Sequence, residues 1–202
     1  MEAPSSVVVE GRRFPVLRLP GSEPGRVLLG TPAYPFNTFF LEELPGGGVR
    51  VGVETGFQVF YVDRDEAVIV LREALKTGSL LAGVKPVVSG LDNNVAFAVE
   101  TAAAPGPEEL GRILATLFNA YNIFVDAVGD VSEDLLGYVK KHAALSARRL
   151  VEAWLRENRD PGDIEEIVAR LHGDEAARHL HEIITGLAER PAPAYTEQLF
   201  YQ

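Results

Sequence analysis

The stretch PEELGRILATLFNAYNIFVDAV, residues 107–128, constrains the fold most, because its pattern is met only by one long helix with a buried side. Leu110, Ile113, Leu114, Leu117, Tyr121, Phe124 and Val128 recur at spacings of three and four, which places them on a single helical face. Pro107 suits a first turn, where its missing N–H costs nothing, and Glu108 and Glu109 favour the positive end of the helix dipole. Before this stretch the chain alternates like strands, and after it the pattern is helical. The helix therefore joins two unlike halves, a scaffold that names no chemistry.

In the first half, residues 7–9, 14–19, 26–29, 38–44, 49–53 and 57–62 read as short strands. Pro15, Pro32 and Pro35 confine the early ones to edges or irregular extended chain. Pro45-Gly46-Gly47-Gly48 reads as a hairpin loop, and Asp63-Arg64-Asp65-Glu66 as a polar turn. Residues 67–75 suit a strand passing into a helical turn, with Gly78 as its cap. Residues 84–88 and 95–101 form the clearest hairpin, joined through Gly90-Leu91-Asp92-Asn93-Asn94. Strands joined by tight turns are antiparallel, which argues against a parallel doubly wound sheet.

In the second half, Ser132 caps a long helix that runs through Val139, Leu150 and Trp154 to about residue 158. Asp160-Pro161-Gly162 stops it. Asp163 is expected to cap a short helix ending at His172-Gly173, and Asp174 another reaching about residue 188. Arg190-Pro191-Ala192-Pro193-Ala194-Tyr195 cannot continue a helix and reads as an extended linker. The expectation is an α+β fold: a mostly antiparallel sheet over about residues 6–101 packed on helix 107–128, then a helical subdomain and an extended C-terminal tail. The corresponding division is an α+β domain at 1–130, a helical subdomain at 131–189 and the tail at 190–202.

Charge and composition narrow the function. A formal net charge of −10 with no basic patch argues against sequence-independent nucleic-acid binding, which needs clustered Lys and Arg. The chain of 202 residues, 47% hydrophobic and 24% charged, is long enough to bury a core. It has no cysteine, hence no disulfide, thiolate metal site or cysteine nucleophile. MEAPSSVVVEGRR lacks a basic segment followed by an apolar core, and no apolar run approaches about 18 residues, so neither a secretory signal nor a membrane span is expected. A cytoplasmic protein is the expectation. The absence of Cys, the single Met and the scarcity of Asn and Gln fit a thermophile.

Candidate chemistry is sparse. His172, Glu175 and His179 would stack on one face of a continuous helix as metal ligands, but Gly173-Asp174 looks like a helix boundary, which leaves surface histidines as the plainer reading. No serine lies in a G-x-S-x-G elbow, and the glycines at 46–48 lack the Lys-Ser/Thr of a phosphate loop. No catalytic residue, cofactor or metal is assigned. Asn119, Asn122 and Asp126 lie on one side of the central helix, beside its apolar stripe. Asn is a poor helix former, so these three are candidate ligand contacts between the sheet and helix 107–128; the alternative is a partly exposed flank. Phe36, Phe39, Phe40, Phe57, Phe60 and Tyr61 would either line such a pocket or fill the core.

The last residues are Thr196-Glu197-Gln198-Leu199-Phe200-Tyr201-Gln202. Apolar side chains after a Pro-Ala-Pro linker cost solubility unless they dock somewhere. Phe200-Tyr201-Gln202 resembles the hydrophobic–tyrosine–any C-terminal motif of proteasome activators and regulatory ATPases. That resemblance covers three residues and implies a tail that enters a pocket between α-ring subunits of the 20S proteasome. There the tyrosine packs and the terminal carboxylate meets a lysine, favouring gate opening. The expectation is a non-enzymatic interaction or adaptor protein with Leu199, Phe200, Tyr201 and Gln202 as partner-binding residues. The alternatives are a small-molecule binder or enzyme using Asn119, Asn122 and Asp126, and a homo-oligomer in which the tail completes a neighbour's sheet or groove. In a further alternative, Leu199, Phe200 and Tyr201 fold back on the protein itself.

Overall fold

The computed structural model of the chain describes residues 1–58, 76, 81–91 and 93–189. The expectations for residues 59–75 and 77–80, Phe60 and Tyr61 among them, and for Asp92 lie outside the described residues. So do those for residues 190–202, with Leu199, Phe200, Tyr201 and Gln202.

The fold is α+β. Two strands, β1 (Ser6–Val9) and β2 (Arg12–Pro15), form a separate antiparallel hairpin. A six-stranded sheet follows: β3 (Leu17–Arg18), β4 (Arg26–Gly30), β5 (Phe39–Glu43), β6 (Val49–Gln58), β7 (Lys85–Ser89) and β8 (Asn94–Thr101). Its spatial order is β3-β4-β5-β6-β8-β7, and every pairing is antiparallel. Among the described residues after β8, the helices are α1 (Pro107–Val131), α2 (Glu133–Arg156), α3 (Pro161–His172) and α4 (Asp174–Glu189). The strand expected over residues 14–19 is broken: β2 stops at Pro15 and β3 starts at Leu17, in a different sheet.

Alternation along each strand sends successive side chains to opposite faces, and here both faces are covered. Val27, Leu29, Phe39, Leu41, Val51, Val53 and Phe97 point to one side. That side meets Leu110, Leu114, Leu117, Tyr121 and Phe124 of α1, with Val7 and Phe14 of the hairpin. Gly111 lets the hairpin lie against α1: a Cβ there would sit 1.7 Å from the Val8 carbonyl oxygen. Leu17, Leu28, Phe40 and Ala96 point to the other side. They pack on Leu150, Val151 and Trp154 of α2, Ile164 and Val168 of α3, and Leu180 of α4. The helices after residue 132 thus seal the second face of the same sheet, while Val139, near the start of α2, still belongs to the first core.

The caps explain the helix boundaries. Ser132 Oγ accepts from the Leu135 amide at 3.2 Å, as its position before α2 predicts. For α3 the cap is Asp160 rather than Asp163. Asp160 Oδ1 accepts from the Gly162 amide at 2.8 Å, Pro161 takes the first turn, and Asp163 lies inside the helix. Trp154 fastens this corner by donating its indole N–H to the Asp160 carbonyl at 2.8 Å. No helix among the described residues is long and apolar enough to cross a membrane.

Candidate functional site

The alternation that lines the first face with Val49, Val51 and Val53 turns Glu54 toward the second face, under α2. Glu54 is 3% exposed, and Arg26 at the start of β4 is 4% exposed. Arg26 Nη2 donates to Glu54 Oε1 at 3.0 Å. Its other amino group lies 3.6 Å from Glu23, and the guanidinium stacks 4.8 Å from the centre of the Phe40 ring. From α2, His142 Nε2 reaches Glu54 Oε2 at 3.2 Å and Arg149 lies 3.8 Å from the same oxygen. One turn from His142, the buried Ser146 shares a 2.7 Å hydrogen bond with Thr38.

Backbone geometry brings α2 this close. The β6–β8 register shifts between Glu54 and Gln58, and Thr55 Oγ1 donates to the Val95 carbonyl at 2.7 Å. Within that irregularity Gly56 has φ +89°, and a Cβ there would lie 2.4 Å from His142 Cβ. Only glycine meets both demands without strain.

Burial alone raises the Glu54 pKa. The His142 hydrogen bond, the His142 charge and the charges of Arg149 and Arg26 oppose it, and the net shift is downward. Glu54 is therefore an ionised acceptor with both oxygens engaged, which suits a clamp and not a proton donor near neutral pH. The cluster fixes how α2 lies on the sheet.

The outer side of α2 then meets α4 in a groove of about 520 Å³. Ala144, Leu145 and Arg148 of α2 face Ile183, Gly186 and Leu187 of α4 across it. Glu189, the last described residue of α4, is on its rim. Consecutive arginines divide the work: Arg149 turns inward to Glu54, and Arg148 borders the groove.

The residues singled out in the sequence lie elsewhere. Asn119, Asn122 and Asp126 are all exposed on the outer side of α1, opposite Leu117, Tyr121 and Phe124. They do not line a space between sheet and helix, because the inner side of α1 is filled by apolar packing. Phe39, Phe40 and Phe57 are core residues. His172 and His179 stand on separate helices, divided by Gly173 at φ +89°. His172 donates to the Ala33 carbonyl at 2.6 Å, and His179 lies 3.8 Å from Glu182. Among the described residues no group of three His, Asp or Glu side chains is placed to hold a metal ion.

Sequence reasoning passed over Arg26, Glu54, His142 and Arg149. The available signal was a charged residue between Gly52 and Gly56 on a strand, together with polar residues at 142, 146 and 149 on one side of a helix. Comparison of the chain with protein-family models, curated proteins and solved structures finds no match.

Proposed function

We propose that this is a non-enzymatic interaction protein, an α+β body that presents Leu199, Phe200, Tyr201 and Gln202 to a second protein, with the 20S proteasome α-ring as the partner. The observation that carries this reading is Phe200-Tyr201-Gln202, with its resemblance to the tails of proteasome activators. An aromatic anchor plus a captured carboxylate is a sound docking chemistry, and ring symmetry lets several weak tails act together. Glu189, the last described residue of α4, is exposed on the surface. Within the body, the buried Glu54 is engaged by Arg26 of the sheet and by His142 and Arg149 of α2.

The test is a pulldown with purified 20S proteasome from the source organism, comparing the full chain with one ending at Leu199. Binding by the full chain and loss on removing residues 200–202 is the expected result. Equal binding by both chains, or binding by neither, would contradict it.

A further inference from the structure

We propose that the groove between α2 and α4 is a docking site in cis for this chain's own Leu199-Phe200-Tyr201, so that groove and external partner compete for the same residues. The inference deepens the interaction reading by giving it a regulation, and it rests on that reading only for the external competitor.

Three observations converge on this occupant. The groove lies where the segment begins: Glu189 is both its rim and the last described residue of α4, so residues 190–202 start at its mouth. Nine residues, 190 to 198, separate that mouth from Leu199. At roughly 3.3 Å per residue they span the groove and allow the chain to turn back. Second, the groove offers apolar side chains between the charged Arg148, Glu182 and Glu189, and Leu199, Phe200 and Tyr201 are apolar in sequence. Leu145 is 37% exposed on α2 and faces Ile183 and Leu187 across the groove. The volume falls within the range of about 300–1,000 Å³ over which proteins enclose compact apolar ligands. Third, Gly186 lies within α4 at the groove, where glycine costs helix stability relative to alanine. A Cβ there would meet nothing within 4 Å, so this helical position leaves open space above it. Arg148, paired with Glu152 at 3.2 Å, borders the groove as well.

A second copy of the chain or an unrelated peptide would fill the same apolar space. The tethered segment has the advantage of effective concentration, since it starts at the groove itself.

The absence of cysteine makes the test clean, because only an introduced pair can form a disulfide. In the full chain, Glu182→Cys on the rim is combined with Gln198→Cys, which leaves Leu199, Phe200 and Tyr201 intact. The control pairs Gln198→Cys with Asn122→Cys on the outer side of α1. Mild oxidation is followed by mass analysis of the monomer. The expected result is intramolecular closure roughly tenfold faster for the groove pair than for the control, with the excess removed by Phe200→Ala plus Tyr201→Ala. Equal rates, no closure, an excess that survives the two alanines, or a disulfide mainly between two chains would each overturn the proposal. The proteasome reading stands or falls separately: closure with no 20S pulldown keeps the groove and removes the external partner, while a tail-dependent pulldown with no closure does the reverse.

Discussion

The two long helices cover opposite faces of one sheet, and both bury apolar side chains there, but only α2 adds buried polar and charged contacts to the sheet. α1 is apolar inside and polar outside: Leu117, Tyr121 and Phe124 meet the sheet, while Asn119, Asn122 and Asp126 face solvent. α2 packs Leu150, Val151 and Trp154 on the sheet and adds His142, Ser146 and Arg149 there, while Leu145 and Ala144 lie on its outer side in the groove with α4. Apolar burial is non-directional and tolerates sliding, whereas a buried carboxylate shared by two arginines and a histidine fixes one register, at a desolvation cost. The difference separates a scaffold from a positioned helix. α1 holds the sheet together, and α2 is held in one pose so that its outer side and α4 form a defined surface.

The sharpest way to break this comparison is to delete one member from each face. Phe124→Ala and Glu54→Ala are each expected to cost about 3–5 kcal/mol in urea unfolding at pH 7, the first through a cavity and the second by leaving Arg26 buried without its carboxylate. Their pH dependence should differ. Because the folded-state pKa of Glu54 is lowered, its stabilisation is present above its ordinary value of 4.5 and is lost as pH falls through the folded value. The gap between wild type and Glu54→Ala should therefore narrow in acid below about pH 4.5, and the gap for Phe124→Ala should not. Parallel acid profiles for the two variants would show that charge does not fasten the second face.

A smaller effect is expected from close backbone contacts. Gly111→Ala drives a Cβ into the Val8 carbonyl, and Gly56→Ala meets His142 from a positive-φ backbone. Each should lower stability by roughly 1–3 kcal/mol. In calorimetry of the variants, Gly56→Ala should also make Glu54→Ala less costly, because both loosen α2; Gly111→Ala should add independently.

The smallest effect lies within the scaffold. The Tyr121 hydroxyl is buried with no hydrogen-bond partner among the described residues, and burial raises its pKa to about 12. Its neutral form is the folded form, so stability falls as pH rises from the ordinary value of 10.0 toward about 12. Tyr121→Phe should gain up to about 1 kcal/mol at neutral pH and shed that alkaline decline. Unchanged alkaline melting in the variant would place the titration elsewhere.

Much of the framework was legible in local pattern. The spacing over residues 107–128, the Ser132 cap and the hairpin through Asn93 and Asn94 each depend on neighbours in sequence, and each forms as read. Asp160 was missed as a cap because Asp163 lies nearer the apolar run, and Pro161 at the first helical position was read only as a stop. The buried cluster was illegible for another reason. Arg26, Glu54 and His142 come from three distant parts of the chain, and each looks like a solvent residue until both faces of the sheet are known to be covered. Asn119 and Asn122 misled in the opposite sense, since their helical frequency suggested a need that their exposed setting does not impose.

The measurement that tests this account most directly is hydrogen exchange by mass spectrometry on the full chain and on one lacking residues 199–202. If α2 and α4 form the working surface, the full chain should exchange more slowly at residues 144–148 and 183–187, with residues 117–126 of α1 unchanged. Identical exchange in both chains, or a difference centred on α1, would contradict the division of labour between the two helices.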